Sequence, residues 1–150
     1  MKKIIFTIAL LASFMCAANA QVNGNAIGVR FGYGGEISYQ HALGNANRLE
    51  FDLGASHWGD NVWGINVTAI YQRVWDLSDL SNGFNWYAGV GGSAGLVSSN
   101  LGLGVVGQVG LEYNFNIPLQ LSLDYRPILY ILPNVAGGYD GICLGVRYKF

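Results

Sequence analysis

Charge is what this sequence has least of: Asp, Glu, Lys and Arg together supply 11% of its 150 residues, against about 25% in an ordinary soluble domain. So few charges cannot clothe a water-facing surface of normal extent. Long hydrophobic runs are missing too. Beyond the first twenty positions, no stretch approaches the ~18 unbroken apolar residues of a membrane-spanning helix. Cysteine is scarce, and Cys143 alone lies outside the N-terminal segment. That excludes an internal disulfide, and a catalytic thiol would need a histidine that no sequence neighbour supplies, so Cys143 reads as a wall residue. The histidines, His41 and His57, are too few and too isolated for a metal site. A length of 150 residues fits one domain.

The N-terminus reads as an address. Lys2 and Lys3 precede the apolar run Ile4 to Ala12, and Ala18-Asn19-Ala20 forms an A-x-A cleavage site before Gln21. Cys16 follows Ser13-Phe14-Met15, a poor lipobox, so no lipid attachment is expected. The expected organisation is a signal peptide at 1–20 and one domain at 21–150. Loss of Lys2 and Lys3 leaves six basic residues against nine acidic ones, a net charge of −3. That charge, together with export, speaks against nucleic acid as a partner.

What the chain does have is period-two alternation, broken at turn residues. Leu49, Phe51, Leu53 and Ala55 interleave with Arg48, Glu50, Asp52 and Gly54, a pattern no helix fits. The same alternation starts near Ile27, Ile37, Ile65, Trp86, Leu101, Leu119 and Ile142, giving about eight strands. Runs of roughly ten residues suit a tilted strand crossing a bilayer. High apolarity carried on alternate positions, aromatics at 13% and 22 glycines describe a transmembrane β-barrel, in which lipid meets every second side chain. The alternatives are a glycine-rich soluble sandwich and a lipocalin-like barrel with its apolar face inward.

The polar face separates these readings. A solvated exterior would be crowded with Lys, Glu and Thr, whereas here that face is mostly Gly, Ser and Gln with balanced charges. Glu36, Glu50, Asp52, Glu112 and Asp124 stand against Arg30, Arg48, Arg126, Arg147 and Lys149. Small residues and paired ions suit a narrow lumen, where an unpaired charge is expensive. Arg30, Glu50, Asp52, Glu112, Asp124, Arg126 and Arg147 are therefore expected to form a structural charge network. With a periplasmic N-terminus, Tyr39, Tyr71, Trp86, Tyr113, Phe115, Tyr148 and Phe150 fall at the periplasmic rim. Tyr33, Trp58, Trp63, Tyr130 and Tyr139 fall at the outer rim, so two aromatic girdles are expected.

The C-terminal residues Gly145-Val146-Arg147-Tyr148-Lys149-Phe150 resemble the terminal assembly signal of outer-membrane barrels. There a glycine precedes two alternating aromatic positions and the last residue is Phe. Cys143 stands where that signal usually has a polar residue. Phe84-Asn85-Trp86-Tyr87 and Gly110-Leu111-Glu112-Tyr113-Asn114-Phe115 are similar to segments of small outer-membrane barrel proteins. The whole chain after its leader resembles the eight-stranded barrels of the OmpA and OmpX type. The resemblance implies an all-β, antiparallel up-and-down transmembrane barrel in the outer membrane of a Gram-negative cell. It also implies recognition of Gly145, Tyr148 and Phe150 by the barrel-assembly machinery. Function does not follow from it, because such barrels serve as anchors, adhesins, enzymes and pores.

Gly102-Leu103-Gly104-Val105-Val106-Gly107 is a literal G-x-G-x-x-G with Asp124 downstream, but Val109, Leu111, Tyr113 and Phe115 continue a strand where a dinucleotide fold needs a helix. Its glycines read as small wall residues facing a crowded lumen. Asn66-Val67-Thr68 is a mid-strand sequon and is discounted. Ser56-His57 near Asp60 is the one grouping a lipid-modifying enzyme could use. Pro127 and Pro133 interrupt the pattern around the apolar Ile128 to Leu132, which either prolongs a strand pair or forms a contact patch. The leading expectation is a monomeric, cofactor-free, non-enzymatic structural or surface-interaction barrel in contact with outer-membrane lipid and lipopolysaccharide. A small pore and a barrel enzyme are the alternatives.

Overall fold

Strict alternation leaves each strand with one apolar and one polar face, and eight such strands bury the polar face by closing on themselves. The computed structural model describes residues 22, 24–32, 34–58, 62–97, 99–133 and 136–150, with side chains omitted at 56–58, 62–63, 97 and 136–140. The strands are β1 (Ala26–Phe31), β2 (Gly35–Ala42), β3 (Asn47–Trp58), β4 (Val62–Asp76), β5 (Phe84–Val97), β6 (Asn100–Asn114), β7 (Leu119–Leu132) and β8 (Ala136–Lys149). Each pairs antiparallel with the next, and β8 returns to β1 with Ala26 opposite Lys149 and Phe31 opposite Leu144. The result is a closed up-and-down barrel with no edge strand left unpaired.

Register follows the pattern read from sequence. On β3, Phe51 and Leu53 are 42% and 51% exposed while Glu50 and Asp52 are 0% and 1% exposed. A one-residue slip would exchange the two sets completely. The start of β1, the end of β8 and the β2–β3, β4–β5 and β6–β7 turns lie at one end of the barrel, here the terminal end. The β4–β5 turn is set by Asp76, whose carboxylate accepts bonds from the Ser78 backbone N–H and hydroxyl, each 2.8 Å.

Apolar side chains occupy two small islands inside. Ile70, Val106 and Ile128 cluster with Tyr130 against them, and Val74 packs on Tyr87. Tyr130 therefore corrects the expected outer girdle. β7 does not stop at Pro127 but continues to Leu132, so Tyr130 keeps the inward parity of Asp124, Arg126 and Ile128. The strand passes its proline through a register shift between Tyr125 and Pro127, with Pro127 on the outward face, where its missing N–H and its ring are tolerated. Gly107 lies across from the ring, where a Cβ would meet Pro127 Cγ in ordinary contact at 3.4 Å. Gly107 thus faces outward with Val105 and Val109, and only Gly102 and Gly104 of that glycine motif face the lumen. Ile128 to Leu132 prolongs the strand pair, with Leu129 opposite Gly137 and Tyr130 opposite Ala136.

At Gly28 two backbones come close together. A Cβ on Gly28 would run into the Val146 carbonyl oxygen and come within 2.6 Å of Arg147 Cα, at the β1–β8 seam. Gly28→Ala is expected to cost about 1–3 kcal/mol, the usual range for overpacking. Denaturant titration of the refolded variant measures this; an unchanged midpoint would show that the seam yields freely.

Candidate functional site in the barrel interior

The inward positions nearest the middle of the barrel hold ions. Arg30 on β1 lies opposite Glu36 on β2 and forms ion pairs with Glu36 and Asp124, with Asp52 at 3.4 Å. Arg126 on β7 completes this group, bonding Asp52 at 2.8 Å and also pairing with Glu36. Two guanidiniums thus hold three carboxylates drawn from β2, β3 and β7. Arginine suits the task because its fork donates to several oxygens at once and it keeps its proton.

A second group lies closer to the terminal end. Arg147 on β8 bonds Glu50 at 2.9 Å and donates to the hydroxyls of Ser38 and Ser122. Glu50 also accepts from the side-chain amides of Gln40 at 2.6 Å and Gln108 at 3.0 Å. Arg48 bonds Glu112 at 2.7 Å and donates through Nε to Gln72, and Gln72 in turn donates to Gln108. Asn85 and Gln120 complete the shell of Glu112 at 3.1 and 3.2 Å.

Tyr87 joins the two groups. Its ring lies 4.8 Å beneath the Arg48 guanidinium, and its hydroxyl donates to Asp124 at 2.8 Å. The ring can enter the lumen because Gly110 faces it: a Cβ on Gly110 would fall 2.7 Å from the Tyr87 hydroxyl oxygen. A cation, a π face and a carboxylate so arranged form one continuous polar column.

The terminal end is stoppered by the chain itself. Val22 and Ala46 pack onto Val74 and Tyr87. The Val22 N–H donates to the Asn45 carbonyl and the Val74 N–H to the Ala46 carbonyl, both at 2.8 Å. Beside this stopper, Arg48, Glu112, Gln40, Gln120 and Lys149 line a cavity of about 10 Å³, room for roughly one water. Lys149 lies at this rim, beside Arg48 and Glu112 of the second group.

The structure thus brings Arg30, Asp52, Asp124 and Arg126 together in one group, and Glu50, Glu112 and Arg147 in the other. Glu36 and Arg48, counted in the polar face from sequence, are full members. Tyr87 and the glutamines were not singled out, although their strand parity marks them as inward. Gly145 faces the lumen beside Ser122 and Arg147, while Tyr148 and Phe150 point outward at the terminal end, 57% and 62% exposed. Tyr39, Tyr71, Trp86, Tyr113 and Phe115 share that end and that outward parity, and Trp75 and Phe84 join them. Of the other girdle, the side chains of Tyr33, Trp58, Trp63 and Tyr139 lie outside the described residues, as do those of Ser56, His57 and Asp60. Among the described residues, no cluster of His, Cys, Asp or Glu is placed to hold a metal. Cys143 is buried in the wall opposite Asp124.

Chemically, this interior braces. Every guanidinium described in it is engaged with carboxylates, and the Tyr87 hydroxyl donates to Asp124. The sequence matches no protein-family profile and no curated protein. Among solved structures, the crystal structure of Neisserial surface protein A is similar, with a TM-score of 0.62 and 17% sequence identity, over 84% of this chain and 93% of that one. The likeness is one of fold: this chain shares the barrel architecture of that surface protein.

Proposed function

We propose that this chain is an integral outer-membrane barrel with a structural or surface-interaction role, a sealed interior and no catalysis of its own. One observation carries the reading: the protein is inside out relative to a soluble domain. Arg30, Arg126 and Arg147 are each 1% exposed, whereas Ile65, Val90 and Ile142 are 60% exposed or more. Water would strand such an exterior, and hydrocarbon satisfies it. A lipocalin-like soluble barrel would need the opposite arrangement. In this reading the terminal end faces the periplasm, the other end meets lipopolysaccharide, and the wall meets lipid. Gly145, Tyr148 and Phe150 present the C-terminal strand to the assembly machinery. A closed ladder needs no partner to cover an edge, which favours a monomer.

The pore reading meets a lumen spanned by ion pairs and stoppered by Val22. An eight-stranded interior is only wide enough for its own side chains. Purified protein refolded into a planar bilayer is expected to show no steady open channel. Sustained, reproducible conductance steps would replace the sealed barrel with a pore.

A further inference from the structure

Arg73 breaks the rule that the other described arginines obey. Arg30, Arg48, Arg126 and Arg147 are buried in the lumen, whereas Arg73 takes an outward position on β4 near the terminal end. Its guanidinium lies 5.8 Å from the centre of the Trp75 ring. Trp75 in turn stacks on Trp86, with centroids 4.2 Å apart and planes 14° from parallel. The stack buries Trp75 to 5% exposure although it too lies on the outer face.

Beyond Trp86 the wall carries a shallow, open apolar depression. A recess of about 430 Å³ starts at Trp86 and Leu77 and is lined by Val109, Leu111, Leu123 and Tyr125. Trp86 pairs with Leu111 and Leu111 with Leu123, so the groove begins in one cross-strand row at the terminal end. Val109 and Tyr125 lie two residues further along their strands, carrying it toward the middle of the wall. Gly107, outward and without a side chain, continues the same face.

A cation on an apolar wall is costly unless it reaches the interface and finds an anion. An arginine fork held on an aromatic face matches a phosphate with two parallel N–H···O bonds. The apolar recess lies beside that point, with Val109 and Tyr125 in the same cross-strand row as Arg73, and gives an acyl chain a surface to lie along. We infer that Arg73, Trp75, Trp86 and this groove bind one glycerophospholipid, with its phosphate on Arg73 and one acyl chain along the groove. The inference rests on the membrane reading above and adds a defined lipid site to it.

The test uses refolded wild-type protein, Arg73→Gln and Val109→Trp in detergent, titrated with 1-palmitoyl-2-oleoyl phosphatidylglycerol and read by native mass spectrometry. Heat-modifiable gel mobility checks that each is folded. Wild type is expected to hold a single preferred lipid, and each variant to bind it about tenfold more weakly, equivalent to about 1.4 kcal/mol. Diacylglycerol with the same chains is expected to bind wild type and Arg73→Gln equally. Equal phosphatidylglycerol affinity in wild type and both folded variants overturns the site, as does graded uptake with no one-to-one step. If the protein also enters liposomes, that failure leaves the membrane reading intact. A wild-type protein that stays in water without detergent overturns both.

Discussion

Replacing Arg30 with methionine is expected to cost the barrel about 3–5 kcal/mol, the range for removing one partner of a buried ion pair. The size follows from what remains. Arg30 sits among Glu36, Asp52 and Asp124, and its loss leaves Glu36 and Asp52 to Arg126 and Asp124 to the neutral Tyr87 hydroxyl. Asp52 and Asp124 are both buried, so their charges are poorly solvated. Removing one carboxylate as well, in Arg30→Met with Asp124→Asn, is expected to recover part of the loss. That non-additivity would mark direct coupling between residues 94 positions apart in sequence. Urea unfolding of vesicle-inserted protein, followed by tryptophan fluorescence, measures both. A cost under ~0.5 kcal/mol, ordinary for a surface substitution, would mean that the network does not brace the barrel.

Leu53→Arg and Val67→Arg place a cation midway along the outer wall. Both side chains are about half exposed, at 51% and 52%. In a bilayer each variant is expected to lose about 2–4 kcal/mol, the cost of arginine at mid-depth on the lipid face of a barrel. The penalty should fall toward zero for Tyr148→Arg, at the terminal rim. In water the same exchanges would be nearly neutral, within ~0.5 kcal/mol. The depth dependence therefore separates a lipid-facing wall from a solvated one, without assuming any function.

Strand number, direction and facing were legible because the polar face is so consistently small or charged. Arg48 to Ala55 could only be a strand with its ions on one side. Legibility failed where parity and hydrophobicity disagree. Ile70, Val106 and Ile128 are apolar yet inward, since the four buried arginines leave space to fill between β4, β6 and β7. Tyr130 was placed at a rim by its position near the strand end, whereas counting by twos through Pro127 turns it inward. Pro127 looks like a break because pattern alone does not show the register shift that carries β7 past it on the outward face. Inward charge was readable one residue at a time, but partnership was not. Barrel closure sets which carboxylate Arg30 meets, bringing β1 beside β8 and across from β7. The stopper at Val22 was unreadable for the same reason, since it depends on the β2–β3 turn folding beneath Tyr87.

The central claim is that odd-numbered side chains of β7 face hydrocarbon and even-numbered ones face a sealed interior. Nitroxide labels placed singly from 119 to 126, in a Cys143→Ala background and in liposomes, test it through collision with oxygen and with a water-soluble nickel chelate. Oxygen accessibility is expected to peak at 121, 123 and 125 and to fall at 120, 122 and 124, with the chelate excluded from all six. Strong chelate access at 121, 123 and 125 would put water where this account puts lipid, and contradict it.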